Sequence, residues 1–430
     1  MKLLIKGGRV INPETSFDKI ADVLAEDGKI VAVGDGLSAE GAEVYDASGK
    51  IVAPGLVDMH VHLREPGQEA KEDFVSGTCA AAAGGYTTVA TMPNTKPVVD
   101  TAALVRSLKQ REAEAAKVHV AIIGALTKGQ QGEELAELGD MLAAGAVAFS
   151  DDGHFDQSAK VMLNAMDYLH AFGDYLIINH EEETSLCKDG VMNEGHRSAL
   201  LGLKGRPTVA EDIAVARDVL LAEYAGAHVH IAHISSARSV DIVRRAKQRG
   251  VKVTAEVTPQ HLTLTDECVE LWDSSTKINP PLRSQADCEA CLAGLKDGTI
   301  DAVVTDHSPH AVEEKDREYM YAPSGFPGLE TAVGVMLTDI CGKGLLDIPT
   351  LIAKMSYEPA RLLHLPCGRL REGAPADITV IDPKLEWTVD AKEFYTRGSH
   401  SPFVGRRFTG KPVLTVVDGR IVMQDGKIRD

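Results

Sequence analysis

The sequence predicts an α/β fold, a (β/α)8 barrel with a small β domain formed by both termini. Two patterns support this prediction: β-rich runs alternate with helix-like stretches through the middle of the chain, and short strands separated by tight turns occupy both ends. Eight strands alternating with helices over about 310 residues are typical of a closed parallel barrel. An open doubly wound sheet is the alternative, but residues 55–58 lack the glycine-rich turn that such sheets use to bind nucleotides.

Both ends of the chain have a β-rich character. In the N-terminal region, Asp27-Gly28 between two apolar runs is typical of a hairpin turn, and Asp418-Gly419 and Asp425-Gly426 repeat the pattern near the C-terminus. These two ends favour one β domain built from both termini, although two separate β pieces would produce the same pattern. Strands are predicted at 3–11, 20–25, 29–33, 377–382, 413–417, 419–422 and 426–428.

The middle of the chain supplies the predicted barrel. Its helix-like stretches carry Ala, Leu, Glu, Lys and Arg, with apolar residues at helical spacing. The β-rich runs lie near 51–61, 85–92, 118–126, 146–150, 175–180, 228–234, 251–257 and 301–306. The helix-like stretches include 101–117, 133–144, 209–224 and 236–249.

Composition argues against several classes of function. The 430 residues are 44% hydrophobic and 25% charged, which is typical of a globular protein. Acidic residues outnumber basic ones by 63 to 45, and the net charge of -18 argues against nucleic-acid and membrane partners. No apolar run reaches the roughly 18 residues of a membrane span, and the N-terminus does not resemble a signal peptide.

Cysteine usage bears on location. The seven cysteines are an odd number and are scattered through the chain, which favours reduced thiols and a cytoplasmic protein. Cys288 and Cys291 form a single CxxC without a second pair, and we interpret them as ordinary helix packing.

Histidine and aspartate end several predicted strands, which is where barrel enzymes place their functional residues. His60 and His62 follow each other at a spacing of two at the end of the first strand, so both imidazoles leave one face and converge. These residue types bind zinc, and their repetition at strand ends predicts a metal site. Later strands end in Asp151 and Asp152, His180, His233 and Asp306.

Side chains alternate in direction along a strand, and this alternation predicts the orientation of three further residues near these ends. His228 and His230 have the opposite parity to His233, so we expect them to point outward to the helix side. Asp58 shares the parity of His60 and His62, and either orients a metal-binding imidazole or packs inside the barrel.

The strand-end motifs resemble those of the amidohydrolase superfamily, and more closely those of the dihydroorotase family of the class I bacterial type. The resemblance extends from the first strands to the C-terminal region. The matching motifs are PGLVDMHVH (54–62), HVHLREPG (60–67), TMPNT (91–95), FSDDG (149–153), HISS (233–236), KINPPLR (277–283), TDHSPH (305–310), GLETA (328–332) and GAPADITVID (373–382).

The resemblance implies a fold, an activity and a cofactor. The fold is a metal-dependent (β/α)8 barrel catalytic domain over 53–367, with a β-sandwich domain made of 1–52 plus 368–430. The activity is the zinc-dependent, reversible cyclisation of N-carbamoyl-L-aspartate to L-dihydroorotate in pyrimidine (UMP) biosynthesis. One or two Zn²⁺ ions are implied. By position, the implied metal ligands are His60, His62, Asp152, His180, His233 and Asp306.

The fourth strand separates this chain from other members of the superfamily. Hydantoinases, dihydropyrimidinases, allantoinases and other dihydroorotases place a carboxylated lysine there, whereas this chain has Ser150, Asp151 and Asp152. An aspartate can bridge two metals directly, as the carbamate does. The family spacing favours Asp152 as the bridge, and Asp151 stays open as the alternative.

The remaining implied roles concern the substrate. Asp306 is expected to transfer the proton in both directions, as reversibility requires. Arg64 is placed for a bidentate grip on the substrate carboxylate. The implied substrate-binding residues are His62, Arg64, Asn94, Asn279 (ring or carbamoyl edge), His310, and Ser324 and Gly325 (backbone contacts).

The sequence leaves two alternative functions open. One is another cyclic amidase, acting on a hydantoin or a dihydropyrimidine, which would have less use for Arg64. The other is an inactive scaffold that partners aspartate transcarbamoylase, although such proteins lose ligands that this chain retains. We expect a homodimer and leave association with a transcarbamoylase open.

Overall fold

The computed structural model describes residues 2–38, 40–154, 158–269 and 272–429. Its strands are β1 (Lys2–Asn12), β2 (Phe17–Glu26), β3 (Lys29–Gly34), β4 (Glu43–Asp46), β5 (Ile51–Pro54), β6 (Leu56–Val61), β7 (Tyr86–Thr91), β8 (His119–Gly124), β9 (Ala146–Phe149), β10 (Ile177–Asn179), β11 (Met192–Asn193), β12 (Gly205–Arg206), β13 (Val229–Ile231), β14 (Val253–Val257), β15 (Ala302–Val303), β16 (Ile378–Thr388), β17 (Arg407–Val417), β18 (Arg420–Gln424) and β19 (Lys427–Ile428).

Helices separate the strands of the middle region. They are α1 (Phe74–Ala83), α2 (Ala102–Ala115), α3 (Leu138–Ala143), α4 (Ala159–His170), α5 (Thr184–Cys187), α6 (His196–Leu201), α7 (Val209–Ala225), α8 (Ala237–Gln248), α9 (Pro259–Thr263), α10 (Gln285–Asp297), α11 (Val312–Lys315), α12 (Ala332–Val335), α13 (Ile348–Ile352) and α14 (Glu358–Leu362). Local chemistry sets several starts: the side chains of Asp73, Ser236 and Ser284 accept hydrogen bonds from the first backbone amides of α1, α8 and α10.

The barrel consists of parallel strands in the order β15-β14-β13-β10-β9-β8-β7-β6. Its two ends meet where Val61 forms a parallel bridge with His307, and the His62 amide donates to the His307 carbonyl at 2.8 Å. Asp58 strengthens this seam, because its carboxylate accepts from the amides of His60 at 3.1 Å and Thr305 at 3.0 Å. Asp58 therefore joins the first strand to the last through backbone amides and does not contact an imidazole ring there.

The two termini form one sheet in the order β19-β18-β17-β16-β5-β1-β2-β3, with β4 added beside β1. The join is the antiparallel pairing of β16 with β5, from Ile378 opposite Pro54 to Ile381 opposite Ile51. This pairing excludes two separate β pieces. The predicted barrel with a β domain from both termini is confirmed.

Alternating side chains divide the apolar core into two layers. Val89 and Ile122 pack outward against the helices, whereas Ala90 and Ile123 fill the barrel interior. Cys288 and Cys291 lie buried on α10, as expected of helix packing. Among the described residues, every helix is too short or too polar to span a bilayer.

Candidate active site

The six predicted metal ligands converge at the carboxyl ends of the barrel strands. Each lies inside its strand or within three residues of the strand's end, and all are at least nine-tenths buried. His60 lies in β6 and His62 directly follows it. Asp152 follows β9, His180 follows β10, His233 follows β13 and Asp306 follows β15.

Asp152 lies at the centre of this group. Its Oδ1 is 3.5 Å from His60 Nε2, 3.5 Å from His180 Nδ1 and 3.4 Å from His233 Nε2, while its Oδ2 is 3.5 Å from His62 Nε2. Within the described chain, Asp152 Oδ1 and His60 Nε2 are buried without a hydrogen-bond partner. A carboxylate that faces histidines through both oxygens, with such orphaned atoms, fits the bridging ligand of a two-metal centre.

Asp306 completes the arrangement on the other side. Its Oδ1 lies 3.2 Å from His62 Nε2 and 3.7 Å from His60 Nε2, and it accepts a hydrogen bond from the Ser308 hydroxyl at 3.1 Å. At this end of the barrel, two sets of residues each have ligand atoms within 4.8 Å of one another: His60, His62 and Asp306, and His60, Asp152 and His233. Two neighbouring positions for divalent ions, one on each side of Asp152, fit these residues.

The carboxylates of this centre are held ionised. Burial alone would raise the pKa of Asp152, but the facing histidines, His60 foremost, hold that pKa well below its usual range. Asp306 shows the same balance, because burial is outweighed by the hydrogen bond and charge of the neighbouring imidazoles and its pKa is lowered. Ionised carboxylates are the form that binds metal and accepts protons.

Asp151 points away from the histidines. Its Oδ1 accepts from the amides of Leu126 at 2.8 Å and Thr127 at 3.2 Å, and its Oδ2 accepts from the Thr127 hydroxyl. Burial raises the pKa of Asp151 to about 6. Of the two aspartates, the geometry therefore favours Asp152 as the bridging ligand. Asp151 instead stabilises the loop after β8 through its hydrogen bonds.

Glu256, inside β14, was not found from the sequence. Its Oε1 lies 2.5 Å from His60 Nδ1, and its Oε2 lies 3.1 Å from His230 Nε2. A carboxylate on Nδ1 fixes the imidazole so that Nε2 faces the metal positions. The available signal was one charged residue in an otherwise apolar run, VTAEV.

The expectation that His230 points outward is wrong. The neighbouring Val229 and Ile231 pack in the outer layer, whereas His230 is fully buried inside the barrel against Glu256. The regular strand ends at Ile231, and His233 has a φ of +28°. The direction of the His233 side chain therefore does not predict the direction of side chains within the strand. His230 and His233 both face inward.

A cavity of about 210 Å³ opens over the metal positions. Of the predicted site residues, only His60 lies outside its lining. The lining comprises His62, Arg64, Asn94, Asp152, Gly153, His180, His233, Asn279, Asp306, Ser308, His310, Ser324 and Gly325.

Arg64 brings a buried positive charge to this cavity. Its side chain contacts the Pro309 carbonyl at 3.3 Å and His310 Nε2 at 3.4 Å. Burial lowers the pKa of Arg64 to about 10, so the guanidinium is charged at neutral pH. Within the described part of the chain, no ion pair engages it, and its charge is open to an anionic ligand.

His310 stays neutral beside Arg64. Burial and the positive charge of Arg64 lower the pKa of His310 to about 2, and its Nε2 donates to the Ser324 carbonyl at 2.8 Å. The neutral ring adds no second positive charge and ties the loop of Ser324 to the strand end.

Two asparagines contact histidines of the candidate metal centre. Asn94 Oδ1 lies 3.0 Å from His62 Nδ1, and Asn279 Nδ2 lies 3.0 Å from His180 Nε2. Asn279 is itself held by Arg206, which donates to its Oδ1 at 2.7 Å and also pairs with Glu182. Arg206 and Glu182 were missed by the sequence analysis, since neither stands in a recognisable motif.

Two buried lysines hold the loop that carries Ser324 and Gly325. Lys315 Nζ donates to the carbonyls of Pro323 at 3.0 Å and Gly325 at 2.9 Å, while the Gly325 amide donates to the Lys277 carbonyl at 2.9 Å. Gly325 has a φ of +119°, and a Cβ there would lie 2.7 Å from the Ser308 carbonyl oxygen. Only glycine fits, and its backbone groups are already bonded, so its expected contact to a ring stays a prediction.

Comparisons with known proteins agree with this geometry. The family model described as Dihydro-orotase-like matches residues 49–239. A dihydroorotase of Pelotomaculum thermopropionicum is 54% identical over 429 residues, covering 100% of both chains, and one of a Geobacter species is 51% identical over 427 residues, covering 99% of this chain and 100% of that protein.

Solved structures show the same fold. The L-hydantoinase (dihydropyrimidinase) of Arthrobacter aurescens superposes with a TM-score of 0.90 at 29% identity, covering 100% of this chain and 97% of that one. The D-hydantoinase (dihydropyrimidinase) of a Thermus species gives 0.84 at 26% identity, covering 99% and 96%. With relatives about half identical over its whole length, this chain belongs to the dihydroorotase family.

Proposed function

We propose that this protein is a dihydroorotase, which reversibly cyclises N-carbamoyl-L-aspartate to L-dihydroorotate as a step of pyrimidine synthesis. The observation that carries the proposal is Arg64, a buried cation without an ion-pair partner among the described residues, in the same cavity as the His and Asp cluster. Both the substrate and the product carry a carboxylate that such a cation binds. The names of relatives over the full chain support the same activity.

The cofactor of this proposal is Zn²⁺, in one or two positions. His60, His62 and Asp306 would hold one ion, His180 and His233 the other, and Asp152 would bridge them. When bound, zinc lowers the pKa of water to about 7 and polarises a carbonyl oxygen. Imidazole and carboxylate ligands suit this metal.

Asp306 moves the proton in both directions. In hydrolysis its ionised carboxylate accepts a proton from the attacking water and passes it to the leaving ring nitrogen. In synthesis the same carboxylate takes a proton from the carbamoyl nitrogen as that nitrogen attacks the side-chain carboxyl carbon. It then passes the proton to the carboxyl oxygen, which leaves as water. The Ser308 hydroxyl bonded to Oδ1 holds the carboxylate in place for both tasks.

Arg64 and the residues around it orient the substrate. The guanidinium binds the substrate carboxylate, with Asn94 and neutral His310 beside it, and Asn279 meets the opposite edge of the ring. An uncharged dihydropyrimidine or hydantoin would leave the buried charge of Arg64 without a partner, which disfavours those substrates.

Assembly and location complete the proposal. We expect a homodimer in the cytoplasm, where the free cysteines stay reduced. Sedimentation of the purified protein, alone and mixed with aspartate transcarbamoylase, measures the oligomeric state and reveals whether the two proteins associate.

The test is a direct assay with zinc-supplemented protein. The loss of the ultraviolet absorbance of dihydroorotate is followed beside that of an unsubstituted dihydropyrimidine. We expect turnover of dihydroorotate alone. Turnover of the uncharged ring instead would contradict the proposal, and turnover of neither by the zinc-loaded protein would favour the scaffold alternative.

A further inference from the structure

A second group of potential ligands lies at the opposite end of the barrel from the cavity. His119 is the first residue of β8, Asp377 directly precedes β16, and Asp418 occupies the turn between β17 and β18. Ligand atoms of all three lie within 4.8 Å of one another. Because His119 begins its strand, this group stands at the amino ends of the strands, remote from the catalytic group at their carboxyl ends.

The distances within this group match those of a metal centre. His119 Nε2 lies 3.4 Å from Asp377 Oδ2 and 3.7 Å from Asp418 Oδ2. Ligand atoms around a tetrahedral ion with bonds of about 2.0–2.1 Å are separated by about 3.3 Å. In the catalytic group, Asp152 stands 3.4 Å from His233 Nε2, so the two groups have similar spacing.

Asp377 supplies an independent indication of a missing ligand. Its residue is 2% exposed, and Oδ1 accepts from the Asp418 amide at 2.9 Å. Its Oδ2, which faces His119, is buried without a hydrogen-bond partner among the described residues. A buried carboxylate oxygen in this state is costly unless a cation compensates it. That cation is either a protonated His119, 3.4 Å away, or a metal ion bound between them.

The surroundings give an ion access and hold the ligands in place. His119 and Asp418 line an open groove of about 910 Å³, from which water can reach the group. The Gly419 amide donates to the Ala376 carbonyl at 3.0 Å, which fixes the turn of Asp418 against the residue that precedes Asp377. The backbone segments that carry the two aspartates are therefore held together.

We propose that His119, Asp377 and Asp418 form a second Zn²⁺ site, separate from the catalytic centre, that joins the barrel to the terminal sheet. One imidazole and two carboxylates are a ligand set that zinc accepts, and water from the groove completes the coordination. The site links β8 of the barrel to β16–β18 of the sheet, so occupancy stabilises the junction of the two units.

The experiment compares zinc content and stability in the full-length protein. After equilibration with excess Zn²⁺ and removal of free metal, the wild-type protein should hold one more equivalent than H119Q, with dihydroorotate turnover equal in both. Zn²⁺ should also raise the Tm of the wild type more than that of H119Q. His196→Gln, which changes an exposed histidine outside the groove, is the control and should keep the extra equivalent.

A second variant and a diffraction experiment test the site independently, in case H119Q fails to fold. Asp418→Asn changes an exposed side chain and should lose the same equivalent. Anomalous diffraction at the zinc edge should show a peak between His119, Asp377 and Asp418. Equal zinc content in wild type and both variants, or the absence of the peak, would overturn the proposal and leave an ion-pair triad only.

Discussion

At the residue scale, Asp152 is the carboxylate around which the candidate metal centre is arranged. Its two oxygens face four histidines. The short aspartate reaches the group because the chain turns directly after β9. No modification is needed to place a carboxylate between two metal positions.

Arg64→Ala tests the proposed carboxylate contact. Removing a buried, charge-assisted hydrogen bond costs about 1.5–3 kcal/mol, so we expect KM for dihydroorotate to rise about 10- to 100-fold with a smaller change in kcat. Steady-state kinetics measure it. Arg9→Ala, which breaks an exposed pair with Asp18, is the control and should behave as wild type. An unchanged KM in the Arg64 variant would refute the assignment.

Asp306→Asn tests the proton transfer. The amide cannot accept the proton, so kcat should fall by about 10²- to 10⁴-fold in both the hydrolytic and the synthetic direction. Zinc content is measured on the same samples to separate proton transfer from metal loss. Asp189→Asn on the exposed surface serves as the matched change of charge. Normal turnover in either direction would exclude Asp306 from this role.

Glu256→Gln tests whether the buried carboxylate orients His60. Loss of such a partner weakens metal binding by about 10- to 100-fold, which competition with a chelator measures. Glu72→Gln alters another buried glutamate, one that contacts His307 at 3.2 Å, and should leave metal affinity unchanged. Equal affinity in the Glu256 variant and wild type would assign Glu256 to barrel packing alone.

At the scale of elements, the loop from α11 to Gly325 is held by the buried Lys315. This side chain is 2% exposed, its Nζ donates to the carbonyls of Pro323 and Gly325, and burial lowers its pKa to about 7. The folded protein thus holds this amine neutral at a pH where the unfolded chain binds a proton. Hydrogen bonds from Lys315 to two backbone carbonyls therefore shape this loop.

The pH dependence of stability follows from this shift. Between the folded pKa near 7 and the unfolded value of 10.5, the unfolded chain binds more protons, so the contribution of Lys315 to stability rises with pH. Relative to Lys315→Met, wild-type protein should therefore gain stability in urea unfolding from neutral pH to about pH 10. Lys392→Met on the surface should track wild type. A constant difference across this range would contradict the shift.

At the scale of the whole molecule, the proposed metal ligands come from β6, β9, β10, β13 and β15. Ions bound there would connect strands on all sides of the barrel axis. The pairing of β16 with β5 closes the terminal sheet beside the first barrel strand. The barrel strand that carries His60 is therefore directly joined to the terminal sheet through β5.

Metal removal should loosen the barrel. A ligand that binds only the folded state at about 1,000 times its Kd adds about 4 kcal/mol, so chelation should lower Tm and abolish activity, and Zn²⁺ should restore both. Calorimetry with and without chelator measures the change. Running H119Q in parallel separates the catalytic ions from the second proposed site. A Tm indifferent to chelation would count against structural zinc at either place.

Much of the site could be predicted because its residues end strands. The HxH spacing, the strand-end histidines and Arg64 all follow from local pattern. Eleven of the twelve predicted site residues, all but His60, line one cavity. Glu256, Arg206 and His230 could not be placed, because their partners are 196, 73 and 26 residues away in the chain. Such contacts depend on how strands align, which local pattern does not encode.

The α/β barrel, the β domain from both termini and the convergence of His and Asp at one end could all be predicted, since periodicity and strand ends are local properties of a sequence. Three features depend on the folded chain: Asp152 and not Asp151 faces the histidines, Asp58 closes the barrel seam, and His230 turns inward. Local pattern does not predict them, because a strand's last residues leave regular alternation. Their directions are set by backbone turns and by hydrogen bonds to distant segments.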